Sequence, residues 1–165
     1  MTDDLLLRRK WTLRAHGRSH VFTKRSNERS VHVVMKALLW ALYLPGYPDL
    51  AVETAVGHRY KPDVVSLDPQ GKPRFWGEAG HVGIQKIRHL VGRFRATHLA
   101  LARWHAPMRP FEAMVREELH GVVRTAPVDL VCFAPDAAER FIDPDGRVSV
   151  RFEEVEWVRL AGGTP

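Results

Sequence analysis

Apolar and polar residues alternate near the start of the chain. Trp11 and Leu13 alternate with Lys10, Thr12 and Arg14 in a run over residues 5–15, and a second run covers residues 20–25. His16-Gly17-Arg18-Ser19 forms the turn between them, so the pair reads as a β-hairpin added to the main sheet. The period then changes. Val31, Val34, Met35, Leu38 and Leu42 recur at helical spacing, with Ser26 or Asn27 placed to cap the helix. Pro45-Gly46-Tyr47-Pro48 ends it. Residues 50–60 return to period two, with Glu53 between Ala51 and Ala55 on one face of a strand.

Two short apolar runs come next, in residues 61–68 and 75–80, joined by Asp68-Pro69-Gln70-Gly71-Lys72-Pro73. Such a joint predicts a second hairpin. Helical period resumes after it: Ile84, Ile87, Val91 and Phe94 form an apolar stripe, and Lys86, His89 and Arg93 form a cationic one beside it, with Arg88 and Arg95 adding charge nearby. The remainder predicts a strand over residues 97–104, a helix over 111–122 opened by Pro110, and a strand over 128–133. Asp136 is set to cap a brief turn. A hairpin of residues 140–142 and 148–152 around Asp143-Pro144-Asp145-Gly146, a last strand over 155–160 and a frayed tail complete the chain. The alternation of strands and helices defines an α/β domain with a mixed central sheet flanked by helices.

Composition narrows the class. At 165 residues the chain suits one domain, here read as residues 1–165, with a hairpin in 1–25 and a core in 26–160. A single cysteine, Cys132, rules out a disulfide framework or a Cys-based zinc site, and its apolar neighbours predict a buried, inert thiol. No apolar run reaches the ~20 residues of a membrane span, and the acidic Met1-Thr2-Asp3-Asp4 does not fit a signal peptide, so a cytoplasmic setting is expected. The net charge of +6 and the dominance of arginine suit phosphate contact. A soluble domain with excess surface arginine has the same composition. P-loop, GxGxxG, GxSxG and HExxH motifs are all absent.

The chemistry gathers in the second hairpin. Asp63 shares a face with Val65 and Leu67, and Glu78 shares one with Trp76 and Gly80. Where those faces coincide, two carboxylates lie across from each other and repel. A divalent cation such as Mg²⁺ or Mn²⁺ between them removes that cost, since hard cations take oxygen ligands. Two acids on a solvated face fit the same spacing. Glu28 falls in the first turn of its predicted helix, where a carboxylate complements the helix dipole. It also borders the buried stripe, from which it can reach the strand carboxylates.

Pro62-Asp63, Glu78-Ala79-Gly80 and Gln85-Lys86, in that order, resemble the PD-(D/E)XK nuclease superfamily. Within it, Trp76-Gly77-Glu78-Ala79-Gly80, Lys86-Ile87-Arg88 and Gly92-Arg93 are similar to the YaeQ family, as are Ser26-Asn27-Glu28-Arg29 and the Leu38-Leu39 and Ala41-Leu42 pairs after it. The resemblance implies a restriction-endonuclease-like core of helix, three strands, helix and strand. It implies a Mg²⁺-dependent nuclease acting on DNA or RNA. Asp63, Glu78 and the Ala79 carbonyl would hold the metal, and Glu28 would supply the acid that the superfamily often takes from this helix. Gly80 stands where the superfamily usually has lysine, so Lys86 would be a migrated lysine assisted by Gln85. His89, Arg93 and Arg88 would contact the nucleic acid. Gly80 equally suits a binding domain of the same fold that does not cleave. A protein-interaction domain without nucleic-acid contact is the third reading.

Overall fold

The computed structural model describes residues 9–160. The first few residues of the predicted opening strand and the predicted frayed tail lie outside them. The opening hairpin is β1 (Lys10–Ala15) and β2 (Arg18–Thr23), paired in register from Lys10–Thr23 to Ala15–Arg18. Its turn is two residues, shorter than predicted: His16 at φ 48° and Gly17 at φ 75° match the primed turn whose twist suits a hairpin. The hairpin forms a sheet of its own instead of extending the main one. Trp11, Leu13 and Phe22 pack into the core around helix α1 (Ser30–Tyr43), and the Phe22 and Trp40 rings meet edge-on.

That cover explains why α1 is buried on nearly all sides, where the sequence predicts one stripe. The helix starts later than predicted. Arg29 is the N-cap residue, and neither Ser26 nor Asn27 caps it. Glu28 precedes the helix instead of occupying its first turn.

The main sheet has six strands in chain order: β3 (Ala51–Val52), β4 (Val64–Leu67), β5 (Pro73–Ala79), β6 (His98–Trp104), β7 (Val128–Phe133) and β8 (Glu156–Leu160). The β3–β4 and β4–β5 pairs are antiparallel, β5–β6–β7 are parallel, and β8 returns antiparallel. Helices α2 (Ile84–Arg93) and α3 (Met108–Leu119) supply crossovers, and α4 (Ala137–Phe141) follows β7. The expected run of helix, three strands, helix and strand is therefore present as α1, β3, β4, β5, α2, β6.

Side-chain alternation divides the core between the two faces. Phe75, Ala100, Ala102, Val131 and Phe133 join the cluster around α1. Trp76, Leu99, Leu101, Leu130 and Cys132 join α2 and α3 on the other. Gly77 lies where β5 faces α1, and a Cβ there would come 2.3 Å from Val64 Cγ2.

Several predicted elements shrink or shift. The strand over residues 50–60 is only Ala51–Val52, because Glu53 turns the backbone to φ 52°. The hairpin after residue 140 reduces to one bridge, Ile142 with Val148, because residues 140 and 141 complete α4 and Phe152–Glu154 makes a 3₁₀ turn. Pro110 lies in the first turn of α3 without opening it, and Asp136 precedes α4 without a side-chain cap. Ile84 is exposed, and Leu90 takes its place beside Ile87 and Val91.

Candidate active site

The β4–β5 ladder pairs Val64 with Gly77 and Val65 with Trp76. Continued by one residue, this register sets Asp63 opposite Glu78, on the same face. The Asp63 amide donates to the Gly77 carbonyl at 3.0 Å, and Asp63 Oδ2 accepts from the Ala79 amide at 2.8 Å. Asp63 is thus tied to the end of β5 by backbone and side chain together.

Glu78 is buried, and both of its oxygens are held. The Trp76 indole N–H donates to Oε1 at 2.7 Å, and Lys86 Nζ lies 2.8 Å from Oε2. Burial and then the Asp63 charge raise its pKa, with Lys86 and Trp76 opposing in part. Lys86 reaches Glu78 from the first turn of α2, and its ammonium also lies 5.1 Å from the centre of the Tyr60 ring. Gly80 itself is outside β5 at φ 93°, a conformation that disfavours a side chain there.

Glu28 is placed differently from expectation. Its Oε1 meets His32 Nδ1 at 2.6 Å and accepts from Lys36 Nζ at 2.6 Å, while Oε2 accepts from the Arg25 amide at 3.0 Å. Lys36 also donates to Glu53 Oε1 at 2.8 Å. The link to Asp63 is indirect, through His32 Nε2, which is 3.5 Å from Asp63 Oδ1. Burial pushes the Glu28 carboxyl up, but the hydrogen bonds from Lys36 and the Arg25 amide outweigh it and hold the pKa below the usual value. The Asp63 contact raises the His32 pKa against its burial. Acids and bases alternate from Glu53 through Lys36, Glu28 and His32 to Asp63, and Glu53 donates its own amide to the Asp63 carbonyl at 2.8 Å.

The α2 side chains diverge. His89 Nε2 faces His58 Nε2 at 3.1 Å, Arg93 is exposed at the end of the helix, and Gln85 is exposed. Arg88 turns away from Lys86 and forks onto Glu118 of α3, at 2.7 and 3.2 Å. Its charge is neutralised there.

The sequence reading missed His32 and Lys36. The signal was present: Glu28, His32 and Lys36 are spaced by four, and Lys36 is the one Lys, Arg, Asp or Glu between Ser30 and Tyr43.

Asp63, Glu78 and the adjacent Ala79 carbonyl are hard oxygen donors of the kind a divalent cation takes, but with Trp76 and Lys86 in place both Glu78 oxygens are already engaged. Glu28 stands apart from that set, because its link to Asp63 runs through His32 and its oxygens are held by Lys36, His32 and the Arg25 amide. Among the described residues no three His, Cys, Asp or Glu side chains gather as a ready-made metal cage.

Fold and site together define an α/β protein with a carboxylate–lysine cluster at the carboxyl end of its central parallel strands. The YaeQ protein from Pseudomonas syringae has this fold, with a TM-score of 0.61 and 14% identity over 93% of this chain and 94% of that one. The YaeQ protein from Xanthomonas axonopodis pv. citri is also similar, with a TM-score of 0.52 and 16% identity over 79% of this chain and 74% of that one. The chain has the YaeQ fold. No protein-family model and no curated protein matches it. No helix among the described residues is long and apolar enough to cross a membrane.

Proposed function

We propose that the chain is a YaeQ-type nuclease of the PD-(D/E)XK superfamily, a metal-dependent phosphodiesterase acting on DNA or RNA. One observation carries this reading: Asp63 just before β4, Glu78 in β5 and Lys86 in α2 lie together, with Lys86 Nζ 2.8 Å from Glu78. Asp63, Glu78 and the Ala79 carbonyl would hold Mg²⁺ or Mn²⁺, which lowers the pKa of bound water and polarises a phosphate. The chain's own groups orient the acids: the Ala79 amide fixes Asp63, and the Trp76 indole fixes Glu78. Lys86 supplies a positive charge beside the reacting phosphate, where developing charge needs it. His89 and Arg93 lie further along the same helix and lead a phosphate backbone towards it.

A specific observation favours a second reading, a nucleic-acid-binding domain that does not cleave. Lys86 already neutralises Glu78, and Gly80 leaves the strand without its lysine. The test is cleavage of labelled DNA and RNA with Mg²⁺ or Mn²⁺, alongside calorimetric metal titration. Wild type is expected to bind one ion and cut, and Asp63→Ala and Glu78→Ala to lose both properties. Lys86→Ala is expected to lose cutting and keep the metal. Binding without cutting at saturating metal selects the non-cleaving domain. Failure to bind any nucleic acid at low salt removes both readings and leaves an interaction domain.

A further inference from the structure

The charge of the chain is concentrated in one segment. Residues 9–25 carry six Lys and Arg and no Asp or Glu, so the whole net charge of +6 resides there and the rest of the chain balances. The β1–β2 hairpin displays much of that charge on one side. Trp11, Leu13, Ala15 and Phe22 are buried beneath it. Period two therefore turns Lys10, Thr12 and Arg14 outward, with Thr23, Val21 and Ser19 as their register partners on β2.

A third segment widens this face. Arg14 pairs with Arg147 in a parallel bridge: its amide donates to the Gly146 carbonyl at 2.8 Å, and its carbonyl accepts from the Val148 amide at 2.7 Å. Val148 and Val150 are buried in the same cluster as Trp11 and Leu13, so Arg147, Ser149 and Arg151 face out beside β1. The outward side chains are thus four cations, four hydroxyls and one valine, with no acid or aromatic among them. Like charges in register repel, and Arg14 and Arg147 are so placed. Among the described residues no carboxylate forms an ion pair with Lys10, Arg14 or Arg147. Arg14 donates to the Asp145 carbonyl at 2.7 Å, and Asp143 is turned back onto the Arg147 amide at 2.8 Å. Arg151 lies 3.6 Å from Glu154 but stays 74% exposed.

Both ends of the face are built. At one end Arg14, His16, Arg147, Ser149 and Arg151 line a concavity of about 450 Å³. At the other, the Lys24 amide continues the hairpin onto the Arg9 carbonyl at 2.8 Å, and Arg25 lines a concavity shared with Asp63.

We infer that this outer face docks the phosphate backbone of a nucleic-acid duplex, with Lys10, Arg14, Arg147 and Arg151 as its phosphate partners. The inference rests on the reading that the chain acts on nucleic acid, and names the surface used and the form of substrate. Cationic and hydroxyl side chains are the groups that hold backbone phosphates. Six residues of β1 rise roughly 20 Å, which matches about six base pairs of duplex at ~3.4 Å each. Single strands bound without sequence preference are held by aromatic stacking, whereas Trp11 and Phe22 point into the core.

The test measures binding with metal chelated, and cutting separately. A labelled duplex and its single strands are titrated by anisotropy over a range of salt. The proteins are wild type, a quadruple variant (Lys10→Gln, Arg14→Gln, Arg147→Gln, Arg151→Gln) and the Arg147→Gln, Arg151→Gln double variant. A control removes four exposed cations elsewhere (Lys72→Gln, Arg109→Gln, Arg116→Gln, Arg140→Gln). Urea midpoints check that each variant is folded, and if the quadruple variant is not, the double variant decides. The duplex is expected to bind more tightly than either single strand. Each lost phosphate contact should flatten the log–log salt slope by roughly 0.9, so by about 3.6 in the quadruple variant and about 1.8 in the double, with the control near wild type. An equal loss in the control assigns the effect to net charge and overturns the face. Single-strand binding as tight as duplex binding also overturns it, as does face-dependent binding confined to vesicles of anionic lipid run alongside. Cutting of the duplex by wild type and Glu78→Gln is followed in parallel with Mg²⁺. Glu78-dependent cutting with unchanged affinity in the face variants removes the face and leaves the nuclease standing. Face-dependent duplex binding without any cutting keeps the face and removes the nuclease. No binding to any nucleic acid removes both.

Discussion

Replacing Lys36 with Met tests the buried half of the site. The Lys36 side chain is 2% exposed, and its ammonium is shared by Glu28 and Glu53, whose side chains are 8% and 29% exposed. Met keeps most of the stem, so the change removes charge more than volume. Removing one partner of a buried ion pair costs about 3–5 kcal/mol. Glu28 retains His32 and the Arg25 amide, and Glu53 retains the Arg25 guanidinium at 3.9 Å, which favours the lower end. A loss of ~3 kcal/mol in a chain of this size lowers Tm by roughly 6–12 °C. The assay is urea unfolding followed by tryptophan fluorescence, at pH 7 and then towards pH 4. In the wild type the folded Glu28 pKa is depressed, so its contribution is present above the unfolded value of about 4.3 and is lost as pH falls through the folded value. In the variant the same carboxyl is buried without its cation, its pKa rises, and protonation relieves the penalty. The gap between the two proteins therefore narrows as the medium becomes acid. Adding Glu28→Gln and Glu53→Gln to Lys36→Met should recover most of the loss, because no stranded charge remains. A Lys36→Met protein within about 0.5 kcal/mol of wild type at pH 7 refutes the reasoning.

Gly77→Ala should destabilise by about 1–3 kcal/mol in chemical denaturation, because its Cβ meets Val64 Cγ2 at 2.3 Å in a packed layer; a neutral result shows that β4 shifts freely. Asp129 is fully buried and accepts from Tyr43 at 2.8 Å and from both nitrogens of the Arg159 fork, with His98 Nε2 at 2.7 Å. Asp129→Ala should cost roughly 3 kcal/mol or more, read as a lowered urea midpoint, and a midpoint near that of wild type contradicts the assigned network. Burial pushes the Cys132 thiol up to about 11, with Glu156 adding to the rise. A raised folded pKa gives stability that is full below the unfolded value of about 8.5 and declines as pH climbs towards the folded one. Cys132→Ala should flatten the stability profile between those limits, and an unchanged alkaline slope assigns the loss to other groups.

Elements with a clean period were legible in the sequence, and those set by long-range contacts were not. Residues 128–133 read as a strand and are one, because a continuous apolar run in that length has few alternatives. Residues 50–60 alternate well but stop pairing after Val52, since Glu53 is drawn to Lys36 on a different element. No local pattern encodes that. The Asp63–Glu78 pairing follows from period two and a turn signal, and Lys86 from the resemblance to the nuclease superfamily together with its place near the start of the next helix. Lys36 is not legible from the helical period, because one charge inside an apolar stretch leaves the period intact. Its partners are 8 and 17 residues away, and the second is reached only through the fold.

The β4–β5 ladder is irregular at one place, between Ser66 and Leu67, next to the turn and away from Asp63. Asp68 closes that turn by itself, with its Oδ1 accepting from the Gln70 and Lys72 amides at 2.9 and 2.8 Å. An extra residue in this turn is absorbed at the irregularity before it can slide the strands by one position, a slide that would swap Asp63 for a neighbour across the sheet. The exposed tip at Gln70 and Gly71 is therefore a tolerant splice point for a peptide epitope, a fluorophore or a whole inserted domain, with the carboxylate pairing at the far end of the hairpin left in step.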